Sequence, residues 1–225
     1  MKTATERDQL ITEHIGRYRI SLRHIIEQLF FDGKNAGNVI QRMIKNEVLH
    51  SRTGLPNRLR YYQLTTTEAR NQSVPVNRCK PFAAQALNVH LGILWYCCAY
   101  ETKRHRIETK VLKGQFENYP RGPHCVEKTE EGHKLSHIRI CTAETEETNL
   151  IRRLREDVRD AYEHKELIDP IRAGQYGFVV LVETKSRIKS LKRSLAQQDF
   201  AEDADIEVAF APSHQTLHQA LKEIR

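Results

Sequence analysis

Apolar residues recur every three or four positions through the first third of the chain and run continuously in short blocks through the last third. The segment RDQLITEHIGRYR places Leu10, Ile11, Ile15 and Tyr18 on one side, which predicts a first helix. Ser21 stands where an N-cap would open a second helix, LRHIIEQLF. In it Leu22, Ile25, Ile26, Leu29 and Phe30 repeat at i, i+3, i+4, i+7 and i+8. The link FDGKNAG, with Gly33 and Gly37, leads into a third helix. At about 100° per residue, Ala36, Val39, Ile40, Met43 and Ile44 share one face of it, and Lys34, Asn38, Gln41, Arg42 and Lys45 the other. The text NEVLHSRTGLPNRLRYYQL then reads as two short strands around a turn with Gly54 and Pro56.

Residues 71–79, NQSVPVNRC, read as a linker, and a long helix is expected from Pro81 to Tyr100. It carries Phe82, Leu87, Leu91, Leu94, Trp95 and Cys98 and is apolar around much of its circumference, the character of a helix buried against something else. RHRIETKVLKGQFENYP fits either a strand with a short helix or one irregular connection. HCVEKTEEGHKLSHIRICTA predicts a hairpin, with strands near Cys125–Lys128 and Leu135–Thr142. From Thr148 a helix follows with Leu150, Leu154, Val158 and Ala161 inward. GFVVLVET is a strand apolar on both faces, SRIKSLKRSLAQQ a helix with a basic outer face, and IEVAFAP another buried strand. A last helix, SHQTLHQALKEI, is one that Ser213 can cap. The predicted fold class is α+β: an N-terminal winged helix-turn-helix over 1–72, a linker and long helix over 73–102 that could serve dimerisation, and an α/β domain with a mixed sheet over 103–225.

The net charge of +7 sharpens this picture because it is uneven. Residues 1–70 hold 12 Lys/Arg against 7 Asp/Glu, an excess of five, and the remaining residues an excess of two. A basic module joined to a nearly neutral one points to local anion binding. Long donors and amides on one face of the third helix are the side chains that reach phosphates and base edges in a major groove. The expected DNA-binding set is therefore Lys34, Asn35, Asn38, Gln41, Arg42 and Lys45 on or just before that helix, with Arg52, Asn57, Arg58 and Arg60 in the hairpin. The expected partner is double-stranded DNA, as an inverted repeat read by a homodimer. An ordinary amphipathic helix and hairpin with a solvated polar face is the rival interpretation.

Other chemistries find less support. MKTATERDQLITEH lacks an apolar core, so no secretory signal is expected. The most apolar stretch, Ala83–Tyr100, is broken by Gln85, Asn88 and His90, and no membrane partner is expected. Five cysteines without CxxC spacing fit reduced thiols and a cytoplasmic location. His124, Cys125, His133, His137 and Cys141 fall close together, but their spacings of 1, 8, 4 and 4 are not those of structural zinc. No metal or other cofactor is expected. Glu183-Thr184-Lys185 at the end of an apolar strand is the one candidate for metal-assisted phosphodiester cleavage. Glu127, Glu144 and Glu146 are the carboxylates that could join it. A metal-dependent nuclease or nicking accessory acting on plasmid DNA is thus the alternative function; the leading expectation is no enzyme.

The wing and its exit, VLHSRTGLPNRLRYYQLTTTEAR, and the region HCVEKTEEGHKLSHIRICTAETEETNLIRRLREDV resemble the replication-relaxation family, encoded largely on plasmids and integrative elements. The resemblance implies an N-terminal winged helix and a sheet domain related to the PD-(D/E)XK nuclease fold. It also implies a role in transcription, replication or transfer of a mobile element. Where that family pattern has Pro-Asp on one strand and an acidic motif on the next, this chain has Pro123-His124 and Ile140-Cys141-Thr142. On the resemblance, the nuclease-like domain has lost its metal ligands and remains as a scaffold.

Overall fold

A computed structural model describes residues 4–99, 104–116, 119–130 and 132–224. The fold is mixed α+β, and the chain divides into two compact units, residues 1–94 with 214–225, and residues 95–213. The division falls inside the long helix and just before the last one, whereas the hydrophobic pattern divides the chain at 72 and 102.

In the first unit, helices α1 (Ala4–Tyr18), α2 (Arg23–Phe31) and α3 (Gly37–Lys45) combine with strands β1 (Ser21–Leu22), β2 (Leu49–Arg52) and β3 (Tyr61–Leu64). The sheet is antiparallel with β3 in the middle, pairing Ser21 with Tyr62 on one side and Ser51 with Tyr62 on the other. Ile11, Ile15, Ile26, Ala36, Ile40, Met43, Leu49, Tyr62 and Leu64 form its core. Three local expectations fail. Ser21 is no cap: its backbone pairs with β3 and its Oγ lies 3.0 Å from His14 Nε2. Leu29 stays 46% exposed, because the core takes Ile25 and Ile26 and α2 ends two residues later. Leu10 is only half-buried, while Thr12 and His14 go inside.

The expected linker is ordered structure. Thr65 caps a helix α4 (Thr66–Asn71), its Oγ1 accepting from the Glu68 amide at 3.2 Å, and a 3-10 turn follows at Val76–Cys79. That Thr-x-x-Glu spacing is a helix-start signal in the sequence. Cys79 then joins the core of the first unit. The long helix α5 spans Ala84–Cys98, and every residue from His90 to Cys98 is buried. A short α10 (Leu217–Glu223) closes the chain. It begins four residues after Ser213, with Thr216 at the cap position and no side-chain cap bond. Asn88 Oδ1 accepts from the His214 amide at 2.7 Å.

The second unit carries β4 (Arg104–Ile107), α6 (Thr109–Gln115), β5 (His124–Thr129), β6 (Gly132–Cys141), α7 (Glu147–Glu163), α8 (Lys165–Arg172), β7 (Tyr176–Val182), α9 (Lys185–Ala196) and β8 (Ile206–Phe210). Its five strands lie in sequence order; β4, β5 and β6 are antiparallel, and β7 and β8 run parallel to β6. Parallel neighbours need crossovers, which α7 with α8 and then α9 supply. Tyr176, Phe178, Val180 and Val182 of the wholly buried β7 meet Leu154, Val158, Leu167, Ile171, Leu191 and Leu195 of those helices in one core. The first of the two open alternatives for residues 104–120, a strand and then a short helix, is the observed one. The sequence pattern did not reveal α8.

Candidate nucleic-acid interface

The third helix starts on a small capping network. Glu27 Oε1 accepts from the Ala36 amide at 3.1 Å, and Asn35 Oδ1 accepts from the Gly37 amide at 2.7 Å. Arg23 bridges the two, its Nε 2.7 Å from Glu27 Oε1 and its Nη2 2.8 Å from Asn35 Oδ1. Carboxylate and amide oxygens thus satisfy helix-opening donors that would otherwise lack partners. A Cβ at position 37 would sit 2.9 Å from Asn35 Oδ1, so a larger residue than Gly37 would displace that side chain from the amide it accepts from. With α3 so anchored on α2, Ala36, Ile40 and Met43 are buried, and Val39 and Ile44 pack at the edge of the core.

The opposite face is open. Lys34, Asn38, Gln41, Arg42 and Lys45 are all exposed. Arg42 is engaged: its Nη2 lies 2.7 and 2.6 Å from the two carboxylate oxygens of Asp8 on α1. Both partners are partly solvated, and such pairs contribute about 0–1 kcal/mol. Asn35, by contrast, is committed to the start of the helix.

The β2–β3 hairpin turns through Leu55–Arg58. Leu55 is buried, the Leu59 amide donates to the Pro56 carbonyl at 3.1 Å, and Asn57 and Arg58 take left-handed φ angles of 54° and 59°. Both side chains are exposed at the tip. Arg60 is exposed too, with its Nη1 3.4 Å from Ser51 Oγ. Arg52 differs from these three. Its Nε donates to Gln63 Oε1 and its Nη2 to the Cys79 carbonyl, each at 3.2 Å. The fully buried Gln63 in turn donates to the Lys80 carbonyl at 3.2 Å. Arg52 therefore ties the hairpin to the segment after α4, a role that the sequence pattern could not separate from that of its exposed neighbours.

Two histidines of the zinc-like group in the second unit belong to a buried hydrogen-bonded cluster. His124 and His137 face each other across β5 and β6, with ring centroids 4.8 Å apart. His124 Nδ1 donates to the Gly122 carbonyl at 3.2 Å, which leaves Nε2 to accept from Tyr176 Oη at 3.0 Å. His137 Nε2 donates to the Arg121 carbonyl at 3.2 Å, so its Nδ1 is a lone pair, 3.7 Å from Asp157 Oδ2. Burial holds both imidazoles neutral, pushing His124 down to about 3 and His137 down to about 4; the His124 ring is further lowered by His137, and His137 by Arg139. Burial also raises the Asp157 carboxyl, against the ion pair with Arg139. His133 is exposed near the turn, and Cys125 and Cys141 are buried thiols. Among the described residues, no group of three or more His, Cys, Asp or Glu is placed to hold a metal ion.

The Glu183-x-Lys185 pair sits where β7 ends and α9 begins. Glu183 Oε1 is buried without a hydrogen-bond partner, and Lys185 is exposed. None of the three candidate carboxylates forms a metal-holding group with it. Glu127 pairs with Arg104 at 2.8 Å, Glu146 accepts from Asn149 at 2.8 Å, and Glu144 is exposed. No helix among the described residues is long and apolar enough to cross a membrane. Compared with known proteins, the chain matches no family model, no curated protein and no solved structure.

Proposed function

We propose that the chain binds double-stranded DNA through its first unit, used as a winged helix-turn-helix, and regulates transcription, replication or transfer of a mobile genetic element. The observation that carries this reading is the split character of α3. Its apolar face is sealed into the core, while Asn38, Gln41 and Lys45 are exposed, and the hairpin that follows exposes Asn57, Arg58 and Arg60. The order α1-β1-α2-α3-β2-β3, with β3 between β1 and β2, supports it, because a winged helix uses the same connection. Lys34, Asn38, Gln41, Arg42 and Lys45 would enter or flank the major groove, and Asn57, Arg58 and Arg60 would reach phosphates or the adjacent minor groove. Asn35 and Arg52 would serve as scaffolding for that surface.

A homodimer on an inverted repeat suits a regulator of this class. Its contact would lie away from residues 90–98 of α5, which are already buried within one chain. The second unit would act as a scaffold, in keeping with the nuclease-like family resemblance and its missing acidic motif.

Binding to intergenic DNA of the source element, followed by footprinting, tests the reading. Gln41→Ala is expected to cost about 1–3 kcal/mol on the preferred site and to relax preference at one base pair. Lys45→Ala is expected to weaken all sequences alike and lower the salt slope by about 0.9. Absence of binding at low salt refutes the proposal.

A further inference from the structure

Helix α9 is unlike the other surface helices of its unit. Over Lys185–Ala196 it holds Lys185, Arg187, Lys189, Lys192 and Arg193 and no acidic residue. Its neighbour α7 carries four arginines but balances them with acidic residues: Arg152 pairs with Glu156 at 2.6 Å and Arg159 with Glu163 at 3.8 Å. On α9 the core takes Leu191 and Leu195, and Arg187 turns inward onto the Thr142 and Thr145 carbonyls. Lys185, Lys189, Lys192 and Arg193 remain exposed. The last three have no hydrogen-bond or ion-pair partner among the described residues. Like charges four apart on a helix repel, and cations in a first turn oppose the helix dipole. Lys189, Lys192 and Arg193 therefore form an exposed cationic cluster with no counter-charge bonded to it among the described residues.

We infer that this cluster is a second contact for the phosphate backbone of duplex DNA, separate from α3 and the β2–β3 hairpin. Lys189 and Arg193 stand four residues apart, about 6 Å along the helix axis, with Lys192 between them in sequence. The cluster thus extends about 6 Å, enough to reach two or three neighbouring phosphates of one strand at about 3.4 Å of duplex axis apiece. The contact is assigned to phosphates, so it adds affinity on every sequence. The identity of the polyanion rests on the DNA reading above.

Anisotropy titrations of a labelled duplex of about 30 base pairs, from about 50 to about 200 mM salt, test it on the full chain. Three variants are compared with the unaltered protein: Lys189→Ala/Lys192→Ala/Arg193→Ala, the charge-matched Arg152→Ala/Arg155→Ala/Arg159→Ala on α7, and Lys34→Ala/Lys45→Ala/Arg58→Ala in the first unit. The α9 variant is expected to lose about 2.7 from the salt slope, so that over this range its affinity falls about 40-fold less than that of the unaltered protein. The α7 variant keeps the original slope. Because these three side chains are exposed and make no bond among the described residues, the α9 variant is expected to melt within a few degrees of the unaltered protein, and a matching melt separates the result from misfolding. An unchanged slope in the α9 variant, or an equal loss in the α7 variant, overturns the inference. If the α9 variant is unchanged while the first-unit variant loses slope, the DNA reading stands alone. No binding by the unaltered protein overturns both.

Discussion

Lowering the pH from about 7 to about 5 is expected to remove about 4 kcal/mol of stability from residues 95–213, which bury His124 and His137. In the folded chain these rings protonate only near 3 and 4, against an ordinary value of 6.5 in the unfolded chain. Below 6.5 the unfolded chain takes up protons that the folded chain refuses, so stability is full above 6.5 and drains as pH falls. Each ring contributes a slope of about 1.4 kcal/mol per pH unit, or about 2 kcal/mol by pH 5. The loss levels off once pH passes the folded values of about 4 and about 3. Asp157 acts with opposite sign: its raised carboxyl burdens the ionised fold, and protonation relieves that burden at more acid pH. Trp95, the single tryptophan, is buried in the same unit and packs edge-on against Phe210, so its fluorescence reports this unit in urea titrations at stepped pH. A stability that stays flat between pH 7 and 5, or imidazole resonances of His124 and His137 that titrate near 6.5, refutes the argument.

Two further outcomes are expected. Asp8→Asn frees Arg42 at a stability change below about 1 kcal/mol, and on the proposed function it tightens DNA binding and raises the salt slope by up to about 0.9; unchanged binding in titrations at low salt would mean that Arg42 does not face the duplex. Gly122→Ala should destabilise the second unit by about 3 kcal/mol, because its φ is +145° and the new Cβ would overlap His137 Nε2, displacing the ring from the Arg121 carbonyl; a urea midpoint equal to that of the unaltered protein would contradict this packing.

The two faces of α3 were legible in the sequence because a helix of fixed period converts residue spacing directly into direction. Which polar residues on that surface remain available was not legible. Arg52, Arg58 and Arg60 look alike along the chain, yet Arg52 is claimed by Gln63 and the Cys79 carbonyl, partners 11 and 27 residues away. Arg42 likewise meets Asp8 across 34 residues. Asn35 closes a local turn on the Gly37 amide, but Glu27 caps α3 from a different helix, nine residues before Ala36, which local cap rules do not reach.

Local pattern by itself determined the elements whose period and length agree: α1, α2, α3, the β2–β3 hairpin, α7, β7, α9 and β8. It missed α8, the order within 66–79, and the true role of Ser21. Only the tertiary structure decided those, together with the grouping of α10 with the first unit and the stacking of His124 on His137. The physical reason is range: periodicity encodes which side of an element is apolar, whereas capping partners, strand neighbours and the burial of a polar side chain depend on residues brought together from distant parts of the chain.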